Sequence, residues 1–314
     1  MNILLMLRGP FIEANPDFIE KIKMLGNITI LYTDNGIDKE KLKQEVKEIE
    51  VIVVAVVPID KEIIDAAPKL KYIMKFGAGY DNIDFRYARE KGIPVTNTPG
   101  QNADAVADHA FGLMLATARQ ISSKNEELRN GHWELSMGME IFQKKLGIIG
   151  FGAIGQAIAQ RATGFQMDVL AYGTYQNQTI ADRLNVKFVD LYTLLSESDI
   201  VVVSTTLRKE NYQLINAKTL NEMKEDALFI NVSRGPLVDE DALYEALKNG
   251  NIKGAGLDVF VEEPSNHPLL TLPNTTVTPH IGAATNEAIK RTGNVALENL
   301  QRFKDDIPLL HVVN

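Results

Sequence analysis

Apolar residues in this chain fall into short, nearly unbroken runs. Between the runs lie longer stretches in which apolar positions recur every three or four residues. The runs at 3–7, 28–32, 51–56, 72–76 and 94–97 have the length of strands, and segments of helical period such as 38–49 and 61–67 separate them. Strands that are apolar on both faces belong in a parallel sheet with helices covering each side. The series then restarts. After a long helical segment over 102–129, strands are predicted at 146–149, 168–172, 186–189, 200–204, 227–232, 255–259 and 275–278, and a last helix at about 286–303. The helix predicted at 239–248 begins on acidic residues and ends before Asn249-Gly250, as the helix dipole and C-cap geometry favour.

Two βα series in 314 residues imply two domains. No Ser/Gly-rich or Pro-rich linker divides them, so the boundary near residue 100 rests on the Pro99-Gly100 break and the renewed pattern. Charge and composition narrow the function. The formal charge is 33 − 41 = −8 with no block of one sign, which argues against nucleic acid and anionic membranes as partners. There is no cysteine, which removes disulfides, zinc–thiolate sites and thiol nucleophiles. The apolar run at 3–7 is shorter than a signal-peptide core, and no later run reaches the roughly 18 residues of a membrane span. A cytoplasmic protein is expected.

Gly150, Gly152 and Gly155 form a G-x-G-x-x-G turn. They follow an apolar strand and open a helix with small residues at Ala153, Ala157 and Ala159. Such a turn brings the backbone close to a pyrophosphate at a helix N-terminus, and so predicts a bound dinucleotide. An acidic residue about twenty positions on would accept a bond from the ribose hydroxyl of NAD and repel the extra phosphate of NADP. Here that strand ends Gly173-Thr174-Tyr175-Gln176, with no carboxylate and no nearby Arg or Lys before Arg183. Local chemistry leaves NAD and NADP both open. Arg208-Lys209 is a further source of positive charge, and a solvated loop is its simpler reading.

Four more stretches are more particular: "FGAGYDNID" at 76–84, "NVSRGPLVDEDAL" at 231–243, "GAGLDVFVEEP" at 254–264 and "TPHIGAAT" at 278–285. In this order, with the glycine turn, the chain resembles the D-isomer-specific 2-hydroxyacid dehydrogenases over nearly its whole length. That family includes phosphoglycerate dehydrogenases, hydroxypyruvate and glyoxylate reductases, and D-lactate dehydrogenases. The resemblance implies an α/β fold of two Rossmann-like, doubly wound parallel-sheet domains, with a cofactor domain (101–283) inserted into a flavodoxin-like substrate domain (1–100 and 284–314). It also implies an active site in the cleft, and a homodimer supported by helices such as the one predicted at 102–129.

The implied roles fall on matching residues. His280 corresponds to the general acid or base, Glu263 to the carboxylate that holds its ring and favours the imidazolium, and Arg234 to the guanidinium that grips the substrate carboxylate. The backbone amides of Ala78 and Gly79 would complete that cradle, with Lys75 beside them where phosphoglycerate dehydrogenases place an Arg. The cofactor set comprises Gly150, Gly152, Ala153, Ile154, Gly155, Thr174, Ser233, Asp258 and Gly282, with Asp258 at the nicotinamide end. No metal is expected.

Some positions depart from the family's pattern. Gly173 replaces the NAD-selecting acid, and Thr174 stands where NADP-preferring members have Arg. Thr206-Leu207-Arg208 stands where the family often has "PLT", and Asp108 takes the place of a Glu. Two residues are read as packing: His109, within "AVADHAFGLML", and Trp133, expected to be buried at the domain junction. Together these features and the resemblance predict reversible hydride transfer between NAD or NADP and a small D-2-hydroxy acid or its 2-oxo acid, of the hydroxypyruvate, glyoxylate or 3-phosphoglycerate class. Lys75 leaves a phosphorylated substrate open. A dinucleotide-sensing, corepressor-like binding protein of the same fold is the alternative.

Overall fold

The computed structural model describes all 314 residues and divides into two compact units, one of residues 1–102 with 284–314 and the other of residues 103–283. The first unit runs β1 (Asn2–Leu7), α1 (Gly9–Glu13), α2 (Pro16–Lys23), β2 (Asn27–Tyr32), α3 (Lys39–Glu45), β3 (Val51–Val54), α4 (Lys61–Asp65), β4 (Tyr72–Lys75), α5 (Phe85–Glu90) and β5 (Val95–Thr96). Its five strands are parallel in the order β2-β1-β3-β4-β5. The unbroken apolar runs have a direct cause. Leu4 and Met6 enter the core on one face of β1, while Ile3, Leu5 and Leu7 enter the core on the other, and β3 divides Ile52 and Val54 from Val51 and Val53 in the same way. Each such side chain removed from water contributes on the order of 1.5–3 kcal/mol.

The second unit contains α6 (Ala103–Ala118), α7 (Ile121–Arg129), β6 (Lys145–Ile149), α8 (Ala153–Ala162), β7 (Asp168–Tyr172), α9 (Gln178–Arg183), β8 (Val186–Phe188), α10 (Leu191–Glu197), β9 (Ile200–Val203), α11 (Ala217–Leu220), β10 (Leu228–Asn231), α12 (Glu240–Lys248), β11 (Gly254–Leu257) and β12 (Thr275–Val277). Its seven strands are also all parallel, in the order β12-β11-β10-β9-β6-β7-β8. The chain order reverses between β6 and β9, which is where open sheets of this kind hold ligands beyond their carboxyl ends. The last helix, α13 (Asn286–Lys304), returns to the first unit and packs on α2 and β4. No helix of the chain is long and apolar enough to cross a membrane.

Two expectations are corrected here. The helical segment at 102–129 is two helices, broken where Gln120 takes a left-handed conformation (φ 54°). The break separates unlike environments, because α6 is buried on several sides while α7 has no buried residue. Trp133 is not buried either. It is 88% exposed, on an extended segment that also exposes Leu135 and Met137.

Candidate active site

Several loops at the carboxyl edge of the seven-stranded sheet meet at the β6–β9 reversal and its neighbours. The glycine turn follows β6. Gly150 has φ 102°, and a Cβ there would lie 2.6 Å from the backbone of Thr205, the residue two positions beyond β9. Ser204 bonds this turn from the same side, its N–H donating to Ile149 O (2.8 Å) and its hydroxyl to Gly150 O (2.8 Å). Gly155 lets α8 settle onto the turn, since a Cβ would fall 2.1 Å from Gly150 O. Gly152, the residue before α8, is different. It is exposed, no side chain caps the helix there, and a Cβ would meet nothing within 4 Å. Two glycines thus close the turn and the third faces open space in front of free helix N–H groups, so the residues present fit a dinucleotide pyrophosphate.

Beside this turn β7 ends at Tyr172, followed by half-buried Gly173 and exposed Thr174. Gly173 is not required by packing. A Cβ there would make only ordinary contacts, 3.6 Å from Gly150 Cα and 3.7 Å from Phe151 N.

The second loop follows β10. Buried Asn231 clamps it, accepting from Ser233 N–H (3.1 Å) and donating to Arg234 O (3.0 Å), while the Ser233 hydroxyl donates to Thr205 O. The Arg234 guanidinium donates to Ser233 O (2.7 Å). Gly235 follows because a Cβ there would overlap the Phe260 carbonyl carbon at 1.9 Å. This contact brings the Arg234 loop against the loop after β11.

That third loop carries Glu263, joined to Pro264 by a cis peptide bond. Glu263 Oε1 accepts from Phe260 N–H (3.1 Å), and Oε2 lies 2.7 Å from His280 Nδ1. Partial burial pushes the Glu263 carboxyl up, but the His280 hydrogen bond and charge, the Phe260 amide and the nearby Arg234 outweigh it and hold it below the usual carboxylate range. The carboxylate therefore stays charged at neutral pH and orients the His280 ring, leaving Nε2 for another partner.

His280 itself has φ 54°, a region that non-glycine residues enter at a cost and in which His is over-represented. Asp258 pins it there. The Asp258 carbonyl accepts from His280 N–H (2.9 Å), and its carboxylate accepts from Ile281 N–H (2.9 Å), Gly282 N–H (2.8 Å) and the Thr278 hydroxyl (2.6 Å). Burial pushes this carboxyl up as well. Hydrogen bonds from His109, Thr278, Ile281 and Gly282 more than reverse that and lower it.

In the first unit, Lys75 ends β4 and is 7% exposed, its ammonium held by Ala55 O and Asn82 Oδ1 (2.7 Å). Half-buried Ala78 and Gly79 follow Gly77, whose φ of 145° suits glycine. Asn97 donates to Ala78 O (2.6 Å), and Thr98 N–H to Gly77 O (3.0 Å), fixing the loop.

Residues 111–282 match the family model described as D-isomer specific 2-hydroxyacid dehydrogenase, NAD binding domain. The chain is 44% identical to a glyoxylate reductase of Thermococcus litoralis over 279 residues, 85% of this chain and 84% of that one. The chain belongs to the D-isomer specific 2-hydroxyacid dehydrogenase family. Solved structures of similar form include an acyclic imino acid reductase in complex with NADPH and D-Arg (30% identity, TM-score 0.89, all of both chains). Another is a D-lactate dehydrogenase from Aquifex aeolicus complexed with NAD and lactic acid (28% identity, TM-score 0.85, 96% of each chain). As a family member, the chain is an NAD(P)-dependent oxidoreductase of 2-hydroxy and 2-oxo acids, and its glycine turn lies in an NAD-binding domain.

Sequence reasoning missed several residues that shape this enzyme's site. His109 is not simply a packing residue, since its Nε2 lies 2.9 Å from Thr278 Oγ1 and 3.2 Å from Asp258 Oδ1. A lone imidazole in a mostly apolar helix was the available signal. Asn231 and Asn82 act through backbone carbonyls and amides, and nothing in the spacing of the sequence marks such partners.

Proposed function

We propose that this enzyme reduces short, unphosphorylated 2-oxo acids, glyoxylate first among them, and accepts NADPH and NADH without strong discrimination. The observation that carries the reading is the 2.7 Å pair of His280 Nδ1 and Glu263 Oε2, which leaves His280 Nε2 to give a proton to a carbonyl oxygen. Arg234 is assigned to the substrate carboxylate and 2-oxo group, where its fork of donors neutralises charge. The Ala78 and Gly79 amides are assigned to the same carboxylate. The ammonium of Lys75 is taken up by Ala55 O and Asn82, which supports a role in holding that loop and disfavours a phosphorylated substrate. The glyoxylate reductase of Thermococcus litoralis supports the choice of acid.

The residues before and within the first turn of α8 (Gly152, Ala153, Ile154) are assigned to the pyrophosphate, with Gly150 and Gly155 shaping the turn. Thr174 is assigned to the adenosine ribose, and Ser233, Asp258 and Gly282 to the nicotinamide end. When bound, the reduced nicotinamide supplies the hydride. The open end of β7, with neither acid nor base beside Gly173, underlies the weak discrimination. Residues 1–102 with 284–314 serve as the substrate unit and 103–283 as the cofactor unit. The enzyme is a homodimer in this reading, supported by the exposed Trp133, Leu135 and Met137, and light scattering in solution tests it.

The deciding experiment follows NADPH and NADH absorbance with glyoxylate, hydroxypyruvate, pyruvate and phosphohydroxypyruvate, for the wild type and His280→Gln. Loss of a general acid removes 10²–10⁴ in rate, so His280→Gln should fall by roughly that factor with cofactor affinity retained. No turnover of any acid by a wild type that binds cofactor would overturn the reading in favour of a sensor.

A further inference from the structure

We infer that His109 is a positioning residue for His280, acting through Thr278 and Asp258. This rests on the assignment of His280 as proton donor above. Residues on three elements converge: His109 on α6, Asp258 just beyond β11 and Thr278 just beyond β12. The hydroxyl of Thr278 lies 2.6 Å from Asp258 Oδ1, which as a carboxylate oxygen only accepts, so the single hydroxyl proton points to it. Thr278 Oγ1 must then accept from His109 Nε2 at 2.9 Å. Nε2 also faces Asp258 Oδ1 at 3.2 Å, where a bare nitrogen lone pair would repel the carboxylate. Both contacts demand a proton on Nε2. The direction of the relay is fixed: His109 Nε2–H to Thr278 Oγ1, and Thr278 O–H to Asp258.

The acceptor at the end of this relay governs the catalytic turn. Residue Asp258 takes the N–H groups of 280, 281 and 282 in succession, the first on its carbonyl and the others on its carboxylate. That grip holds His280 in its left-handed conformation, from which the ring meets Glu263. The fit is close, because a Cβ on Gly282 would lie 2.9 Å from Asp258 Oδ2 and 3.5 Å from His109 Cδ2. Removing the imidazole donor would leave Thr278 Oγ1 and Asp258 Oδ1 short of a partner in a buried place. The carboxylate would keep Thr278, Ile281 and Gly282, but with the Thr278 hydroxyl no longer fixed from behind, its grip on the turn would loosen.

The test compares His109→Leu, which removes the donor, with His109→Gln, whose amide nitrogen can reach the Nε2 position. Wild type and both variants are labelled on histidine with ¹⁵N. With five histidines in the chain, the His280 resonances are assigned by His280→Gln. His109→Leu should shift and broaden the His280 signals and lower kcat about tenfold, with the KM for glyoxylate changed less than about twofold and the melting temperature lowered by a few degrees, as the buried groups left without a donor require. His109→Gln should restore both the signals and most of kcat. Unchanged His280 signals in His109→Leu would overturn the inference, as would equal damage in Leu and Gln variants. If the wild type shows no turnover, the assigned reaction fails, and the His280 resonances still decide whether His109 positions that ring.

Discussion

Replacing Asp258 with Asn tests how the catalytic turn is held. The change keeps the shape of the side chain and removes its charge. In the wild type, Oδ1 accepts from Thr278 and Ile281, and Oδ2 accepts from Gly282 at 2.8 Å. An asparagine has one acceptor oxygen, so whichever way the amide is set, a donor nitrogen faces either Ile281 N–H or Gly282 N–H. A buried N–H without a partner costs about 1–3 kcal/mol, and charged bonds that become neutral lose roughly 1 kcal/mol each. Relief from burying a carboxylate that is 2% exposed offsets part of this, which leaves a net loss of about 3 kcal/mol. For a unit spanning residues 103–283 that corresponds to a melting-temperature drop of roughly 6–12 °C.

The pH dependence gives a second check on Asp258→Asn. The Asp258 carboxyl is held below its ordinary value of 3.8, so its contribution is complete above about pH 4 and is lost as pH falls through the folded-state value. The gap between wild type and Asp258→Asn should therefore be widest near neutrality and narrow in acid. Calorimetric scans of both proteins from about pH 7 down to about pH 2.5, through the window below the ordinary carboxyl value, measure it. A drop under about 2 °C at pH 7, or a gap that widens in acid, would refute the argument.

Glu263→Gln keeps the contact to His280 but removes the charge that orients and compensates the ring, so kcat/KM for reduction should fall about tenfold or more with cofactor affinity retained. Wild-type kcat/KM in this variant would contradict the role given to Glu263. A Cβ at Gly173 makes only ordinary contacts, so Gly173→Asp can be made without strain at that atom, and a carboxylate accepting a ribose hydroxyl is worth about 1.5–3 kcal/mol. The ratio of kcat/KM for NADH over NADPH should rise at least roughly tenfold, and an unchanged ratio would show that selectivity is decided elsewhere. Gly155→Ala would force a Cβ to within 2.1 Å of Gly150 O, so α8 must lift from the turn. Overpacking of this kind costs about 1–3 kcal/mol, and NADPH affinity, read by fluorescence titration, should weaken accordingly. Wild-type affinity would sink the assigned turn.

The sequence by itself determined the class of fold and the residue types of the site. Runs such as 200–204 and 51–56 reappear as β9 (Ile200–Val203) and β3 (Val51–Val54), because a strand covered on both faces must be apolar at every position. The glycines at 150 and 155 were legible because close backbone approach excludes any side chain. The pairing of Glu263 with His280 was readable from motif order, and the structure places them 2.7 Å apart.

Only the tertiary structure decided what those residues meet. Helical periodicity over 102–129 carries no mark of the left-handed Gln120 that divides α6 from α7, since both sides favour helix locally. Trp133 looked like a buried residue by composition and lies 88% exposed, because burial depends on what packs above it. Lys75 was placed with the substrate, but its ammonium ends on a backbone carbonyl and Asn82, partners supplied by chain neighbours 20 and 7 residues away. His109 read as core until α6 brought it to Asp258 and Thr278, about 150 and 169 residues further along. Hydrophobic pattern is local and survives in the sequence, whereas a hydrogen bond between distant segments exists only once the sheet has brought them together.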